Sequence, residues 1–242
     1  MTEKELKECL VVWCGCIPYG RALQLQMKIC ELKKHGFDKD ILLLLEHPAV
    51  ITLGRSADRK NLLVQEEYLK ARGIELFSTD RGGDITFHGP GQLVGYPVLA
   101  LRQQERDVRK YMRNLEESLI RLLSLYGIPG SRNPDFTGVW TDSGKIAAMG
   151  VHISRWITRH GFALNVNTDL TFFEMIIPCG ISGKGVVSMQ KLARRTFDIK
   201  RVAGRYVAEF GAVFNRQMVA IGEYELEKEL KQYKAARKTT VR

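Results

Sequence analysis

Hydrophobic positions along the chain recur with two periods. Over residues 19–35, Ala22, Leu23, Gln26, Met27 and Cys30 fall on one helical face, and Gly36 closes the stretch after Lys33 and Lys34; cations in a last turn followed by glycine mark a helix end. Residues 107–126 give the clearest helix, with Val108, Tyr111, Met112, Leu115, Leu119, Leu122 and Leu123 on one face and Gly127 and Pro129 as stops. Helical spacing resumes over residues 198–218 through Val202, Tyr206, Val207, Phe210, Val213 and Phe214, and the charged end from Glu223 predicts a peripheral helix or frayed tail. Between these lie shorter runs of strand character. DILLLLEHPAVITLG predicts two strands broken at His47-Pro48, RGIELFSTD a third, QLVGYPVLAL a fourth and GFALNVN another. TGVWTD and KIAAMGVHIS flank Asp142-Ser143-Gly144 as the arms of a hairpin, which puts Lys145 at the start of a strand. Hairpins outnumber βαβ units, so the pattern predicts an α+β fold: a mixed, largely antiparallel sheet with helices on its faces.

The length, 242 residues, suits one large domain over 1–242, since no low-complexity linker or internal repeat divides it. The longest apolar run, ILLLL at 41–45, is far short of the roughly 20 residues that cross a bilayer, so no membrane span is expected. CLVVWCGCI has the apolar character of a signal-peptide core, but Glu3, Glu5 and Glu8 precede or open it and no arginine occurs before Arg21, against both secretory and transit peptides. The chain reads as cytoplasmic. Of five cysteines, Cys9, Cys14, Cys16 and Cys30 match neither a disulfide framework nor a zinc spacing and read as buried or incidental thiols. The net charge of +10 points to an acidic partner. Lys191, Arg194, Arg195, Lys200, Arg201 and Arg205 are opposed only by Asp198, and read either as a grip for phosphate or an acidic protein, or as a solvated face.

Three places could carry chemistry. RGGDITFHGPGQ, from Arg81 to Gln92, has four glycines in twelve residues, a composition that serves tight turns or close approach to a ligand. GKIAAMG follows around Lys145, and PCGI presents Cys179 between Pro178 and Gly180. A free thiol of pKa about 8.5 is only a few per cent ionised near neutrality, and one ammonium at ~4 Å and an effective dielectric of ~20 supplies about 4 kcal/mol toward its thiolate. His88, inside the glycine-rich stretch, reads as a substrate-binding or loop-ordering residue; His88, His152 or His160 could alternatively form a Cys-His pair with Cys179. Trp140, Trp156, Phe172 and Phe173 read as core rather than pocket wall. Gly89, Gly91 and Gly95 miss the dinucleotide fingerprint by one position, Gly138 to Gly144 has one residue too many for a Walker loop, and neither HExxH nor GxSxG occurs. Neither a helix-turn-helix nor a basic-aromatic stripe is present to support nucleic-acid binding.

The stretches LGRSADRKNLL, RGGDITFHGPGQLVGYPV and KIAAMGVHISRWITRHGFALNVNTDLTFFEMIIPCGI, covering most of residues 45–190, closely resemble the lipoyl(octanoyl) transferases of lipoate biosynthesis. The resemblance implies a fold similar to the biotin and lipoate protein ligases, Cys179 as acyl-thioester nucleophile and Lys145 as the residue that stabilises the thiolate and handles protons. It places substrate binding on Arg81, Gly82, Gly83, Asp84, Ile85, Thr86, Phe87 and His88, on Ala148, Met149 and Gly150, and on Gly161, Phe162 and Ala163. His152 departs from the family pattern, which leads us to expect an arginine or another long basic side chain there. The implied partners are octanoyl-acyl carrier protein and the apo lipoyl domains of 2-oxoacid dehydrogenases and the glycine cleavage system, with no cofactor or metal. Rival readings are a lipoyl amidotransferase, an ATP-dependent lipoate ligase and a basic nucleic-acid-binding domain.

Overall fold

The structure is a computed structural model that describes residues 6–177 and 185–240. The first half runs β1 (Lys7–Cys16), α1 (Tyr19–Lys34), β2 (Asp40–Glu46), β3 (Val50–Leu53), α2 (Glu66–Ala71), β4 (Glu75–Ser78), β5 (Ile85–His88), β6 (Gln92–Val98) and α3 (Val108–Ser124). The second runs β7 (Ser131–Arg132), β8 (Val139–Thr141), β9 (Gly144–Ser154), β10 (Ile157–Asn165), α4 (Met189–Ala193), α5 (Ile199–Phe214), β11 (Arg216–Ala220) and α6 (Glu223–Thr240). Eight strands form one sheet in the order β11-β1-β2-β6-β10-β9-β8-β7, and β4-β3-β5 form a second. Pairing from β2 through β7 is antiparallel, while β11, β1 and β2 are parallel neighbours. The fold is the mixed, largely antiparallel α+β arrangement that the pattern predicts.

The ILLLL run follows from helices covering both faces of the large sheet. Leu42 and Leu44 point into the core shared with Leu115, Leu119 and Tyr206 of α3 and α5, whereas Ile41, Leu43 and Leu45 point into the core shared with Ile29 of α1 and Leu226 and Leu230 of α6. A strand buried on both faces has no polar alternation to show. Asp107 caps α3 by accepting from the Lys110 N–H, and Asp198 caps α5 by accepting from the Lys200 and Arg201 N–H groups. The small sheet has its own core, where Ile51, Ile85 and Phe87 meet Leu69 of α2 and Phe173.

Four elements depart from the sequence reading. The CLVVW run forms β1 in the interior of the large sheet, pairing with β11 on one side and β2 on the other. The glycine-rich stretch contains a strand, β5, whose residues Ile85 to His88 pair with Leu53 to Val50. α2 carries a single buried residue, Leu69, too little to give a periodic signal. The third predicted helix stops four residues early, because Asn215 takes a left-handed conformation at φ 54° and turns the chain into β11.

Candidate functional site

The site lies where the 79–84 loop, β5 and β6 face the β9-β10 hairpin. The loop can lie on that hairpin because both sides are glycine at the contact. The Gly82 N–H donates to the Val151 carbonyl at 2.9 Å, and a Cβ on Gly150 would sit 2.6 Å from the Gly82 oxygen. The cavity so formed is lined by Arg81, Gly83, Asp84, Ile85, Thr86 and His88 from one side and by Ala148, Met149, Gly150, Gly161, Phe162 and Ala163 from the other. The three segments expected to bind substrate therefore meet, through the cross-strand pairs Gly150 with Gly161, Met149 with Phe162 and Ala148 with Ala163. Two members face elsewhere: Gly82 makes the backbone bond to Val151, and Phe87 stacks on Phe172 at 4.7 Å in the small-sheet core.

Tyr19, Tyr96 and His160 also line the cavity, none of them singled out as substrate-binding. Each is buried. The Tyr96 hydroxyl lies 2.8 Å from His47 Nε2, whose other ring nitrogen donates to the Ile17 carbonyl at 2.7 Å, so Nε2 is left to accept. His88 Nδ1 donates to Gln92 Oε1 at 2.8 Å; the Gln92 amide in turn donates to Asn165 Oδ1 at 2.9 Å and to the Phe87 carbonyl at 3.2 Å. Thr52 Oγ1 accepts from Arg81 Nε and one terminal nitrogen at 3.2 and 2.8 Å and lies 3.5 Å from His88 Nε2. Burial pushes His88 well below the ordinary imidazole range, helped by His47 and Arg81, and pushes His47 down to about 4. Arg81 is engaged by Thr52 and the Gly82 carbonyl and Asp84 by the Asp58 N–H and the Asn61 amide, so the cavity is faced by neutral imidazoles and phenols and by two charged groups turned toward partners of their own, which leaves its apolar walls to meet an apolar ligand.

Lys145 heads β9. Its N–H donates to the Gly185 carbonyl at 2.9 Å, its carbonyl accepts from the Val187 N–H at 3.0 Å, and its ammonium lies 5.4 Å from the Trp140 ring centroid. The side chain is buried and has room only because residue 138 is glycine: a Cβ there would sit 2.6 Å from Lys145 Cε. Lys145 lines a second, smaller cavity with Gln92, Asn165, Phe173 and Val186, and this cavity shares Thr86, Ala148 and Ala163 with the first. Phe173 is thus a pocket wall as well as core, contrary to the sequence reading, and Trp140 is the surface over which the ammonium sits. Cys179, the expected nucleophile, lies outside the described residues; before it, the Ile177 N–H is held by the Asn61 carbonyl at 2.8 Å.

At the position where a long basic side chain is expected, His152 lies directly across the strand pair from Arg159. Arg159 forms an ion pair with Asp80, whose carboxylate also accepts from His160 Nε2 at 2.9 Å and lies 3.4 Å from His152 Nδ1. The neighbouring strand thus puts a basic side chain, Arg159, beside His152. Burial, with Arg159 and Arg81, nonetheless drives His160 down to about 3.

Among the described residues no cluster of His, Cys, Asp and Glu is arranged to hold a metal ion, and no helix is long and apolar enough to cross a membrane. Cys9, Cys14 and Cys30 are buried and Cys16 is exposed; burial pushes the Cys14 thiol up to about 12.

Comparison with known proteins places this geometry. The family model of the lipoyl protein ligase A/B catalytic domain matches residues 18–211. An octanoyltransferase of Solibacter usitatus is 49% identical over 214 residues, 88% of this chain and 96% of its own length. One from Koribacter versatilis is 50% identical over 210 residues, 85% of this chain and 84% of its own. A bi-partite lipoate protein ligase from Thermoplasma acidophilum superposes with a TM-score of 0.73 at 17% identity over 94% of this chain and 91% of that one. A lipoate-protein ligase A bound with ATP does so at 0.71 and 16% identity over 95% of both chains. At such identities the likeness is one of fold. From the family match and the close relatives, the chain belongs to the lipoyl(octanoyl) transferase family and is an acyltransferase.

Proposed function

We propose that the enzyme moves an octanoyl group from the phosphopantetheine thioester of an acyl carrier protein to the ε-amino group of a lysine on an apo lipoyl domain, through a thioester on Cys179. The observation that carries the reading is the buried Lys145 in the smaller of two adjoining cavities, the larger of which is walled chiefly by Ile85, Ala148, Met149, Phe162, Ala163 and neutral imidazoles and phenols, with Arg81 and Asp84 the charged side chains in its lining. An acyl tail lies between Ile85, Met149 and Phe162, and its carbonyl end is at Lys145. The Cys179 sulfur attacks the thioester carbonyl, the bond to the pantetheine sulfur breaks, and the departing thiolate takes up a proton. The neutral amine of the target lysine then attacks the acyl-enzyme, the bond to Cys179 breaks, and the proton lost from the amine nitrogen passes through Lys145. The donor is an activated thioester, so the acyl transfer is driven without ATP or a metal.

Two features support this assignment. Val187 and Gly185 hold the Lys145 backbone directly after the segment containing Cys179, and Ile177, two residues before Cys179, is tied to Asn61. Residues 1–242 we take to form one octanoyltransferase domain, a reading supported by Leu226 and Leu230 of α6, which bury into the same core as α1 and β2.

Intact mass spectrometry after incubation with octanoyl carrier protein tests the reading. The wild-type protein should gain one octanoyl mass at Cys179, and Cys179→Ala should gain none and transfer nothing while keeping its circular dichroism. Wild-type acylation of the alanine variant would remove Cys179 from the mechanism. Turnover only with free octanoate and ATP would make the enzyme a ligase, and turnover only from an octanoylated lipoyl domain would make it an amidotransferase.

A further inference from the structure

The geometry points to the ridge formed by α4 and the start of α5 as the docking surface for the acidic protein that carries the thioester donor. This rests on the function proposed above and adds where that partner is held. Lys191, Arg194, Arg195, Lys200, Arg201 and Arg205 are all exposed. Several surface bases meet carboxylates, as Arg59 meets Glu66, Arg113 meets Glu116, Arg121 meets Glu117 and Arg132 meets Glu117, while others, such as Arg55, Lys70 and Arg109, stand apart from one another without an ion pair. Among the described residues none of the six ridge bases meets a carboxylate, and Asp198, the acid within the run, is occupied by the backbone N–H groups of Lys200 and Arg201.

Local physics disfavours this placement, which separates the ridge from an ordinary solvated face. Lys200 and Arg201 sit in the first turn of α5, where no acid occurs and where the helix dipole opposes a cation. Arg194 ends α4 in the left-handed conformation at φ 53°, a position that glycine fills at less cost. Two further guanidiniums are steadied on rings, Arg195 at 4.6 Å from Phe197 and Arg205 at 5.1 Å from Tyr126. A fixed, unneutralised basic surface is complementary to an acidic one.

Its position selects the donor. The Gln190 N–H bonds to the Val166 carbonyl, and Asn167 exchanges two bonds with Phe197, so the ridge is fastened just beyond Asn165, which lines the Lys145 cavity. These bonds attach the ridge to the chain that leaves β10 directly after Asn165, and none of its six bases lines either cavity. A pantetheine arm is several times longer than a lysine side chain and can cross that interval, whereas an acceptor lysine requires its domain at the mouth itself.

The test compares octanoyl carrier protein with octanoyl-pantetheine in the double variant Lys200→Glu/Arg201→Glu. This exchange leaves the Asp198 cap in place and puts anions where the dipole favours them, so the fold is not put at risk. KM for the carrier-bound donor should rise about tenfold, wild-type KM should rise likewise between about 0.05 and 0.5 M salt, and both constants for octanoyl-pantetheine should stay within about twofold. Arg194→Gly, which relieves the backbone while removing a base, should also raise the carrier KM. An unchanged carrier KM, an equal loss with both donors, or a rise confined to the lipoyl-domain acceptor overturns the proposal. Wild-type protein that takes octanoyl from neither donor overturns the functional reading itself, and the ridge assignment with it.

Discussion

Two buried polar clusters in this molecule treat charge in opposite ways. At the β11 edge of the large sheet, Asp40 is fully buried and accepts from Lys7 at 3.1 Å, Lys33 at 2.9 Å, Arg216 at 2.9 Å and the Ala100 N–H at 2.9 Å. Burial alone would raise its pKa, but Lys33, Lys7 and Arg216 outweigh it and hold the carboxyl below its ordinary value. Around the cavity, by contrast, His47, His88 and His160 are held neutral by burial and exchange hydrogen bonds with Tyr96, Gln92 and Asp80. The first cluster keeps its ions and fastens β1, β2, β11 and α1 together. The second keeps imidazoles at and behind the cavity wall uncharged, beside Arg81 and Asp84, which remain as its charged lining side chains. A buried ionisable residue is therefore no sign of function by itself; what matters is whether its partners close it off or leave it beside open space.

The sharpest way to break the comparison is to exchange the roles. Lys145→Met should cut octanoyl transfer by about 10²–10⁴-fold, the range for losing a positioned proton-transfer group, and should slow alkylation of Cys179 near neutral pH while leaving thermal stability almost unchanged. Superimposable alkylation-versus-pH curves for the two proteins would remove Lys145 from the chemistry. Asp40→Asn should do the reverse. It leaves Lys7, Lys33 and Arg216 without the charge they surround, a loss of about 3–5 kcal/mol in denaturant unfolding, with an unchanged transfer rate per folded molecule. A catalytic loss in the Asn variant under conditions where it is fully folded would show that the two clusters are coupled.

The comparison also marks what could be read along the chain. The α3 face and the ILLLL strand are legible because packing on one or both faces imposes its period directly. Lys145 at a strand start follows from the Asp142-Ser143-Gly144 turn, and the glycines of 81–92 announce a close approach, found between Gly82 and Gly150. The strand β5 within that stretch was obscured by the glycines around it. Tyr19 and Tyr96 escaped notice, and His160 was considered only as a partner for Cys179, because each sits in a different element and only tertiary packing brings them to one cavity. The Asp40 cluster is invisible for the same reason: its cations come from residues 7, 33 and 216. At 216–218 the periodic signal itself misled, since Met218 continues the helical spacing but Asn215 has already turned the chain.

The smallest expected effect separates the clusters by pH. His47 titrates at about 4 in the folded protein and near 6.5 when unfolded, so as pH falls through 6.5 the unfolded chain takes up a proton that the folded one refuses. Stability should therefore decline between pH 6.5 and 4 and, for this group, level off below, a loss of about 3 kcal/mol. Asp40 acts in a different window: its folded-state pKa is lowered, so its contribution is intact above the unfolded value of about 3.9 and is lost as pH falls further through the folded one. His47→Asn retains a donor for the Ile17 carbonyl but cannot be charged, and should remove the share that His47 adds to the slope between pH 6.5 and 4, while His88 and His160 keep theirs and the limb below 4 stays in place. Chemical unfolding at half-unit steps from pH 7 to 3 measures both limbs. If the Asn variant keeps the full upper slope, the neutral imidazole at position 47 is not what ties the cavity wall to pH, and His88 and His160, whose folded-state values are also lowered, would be exchanged next.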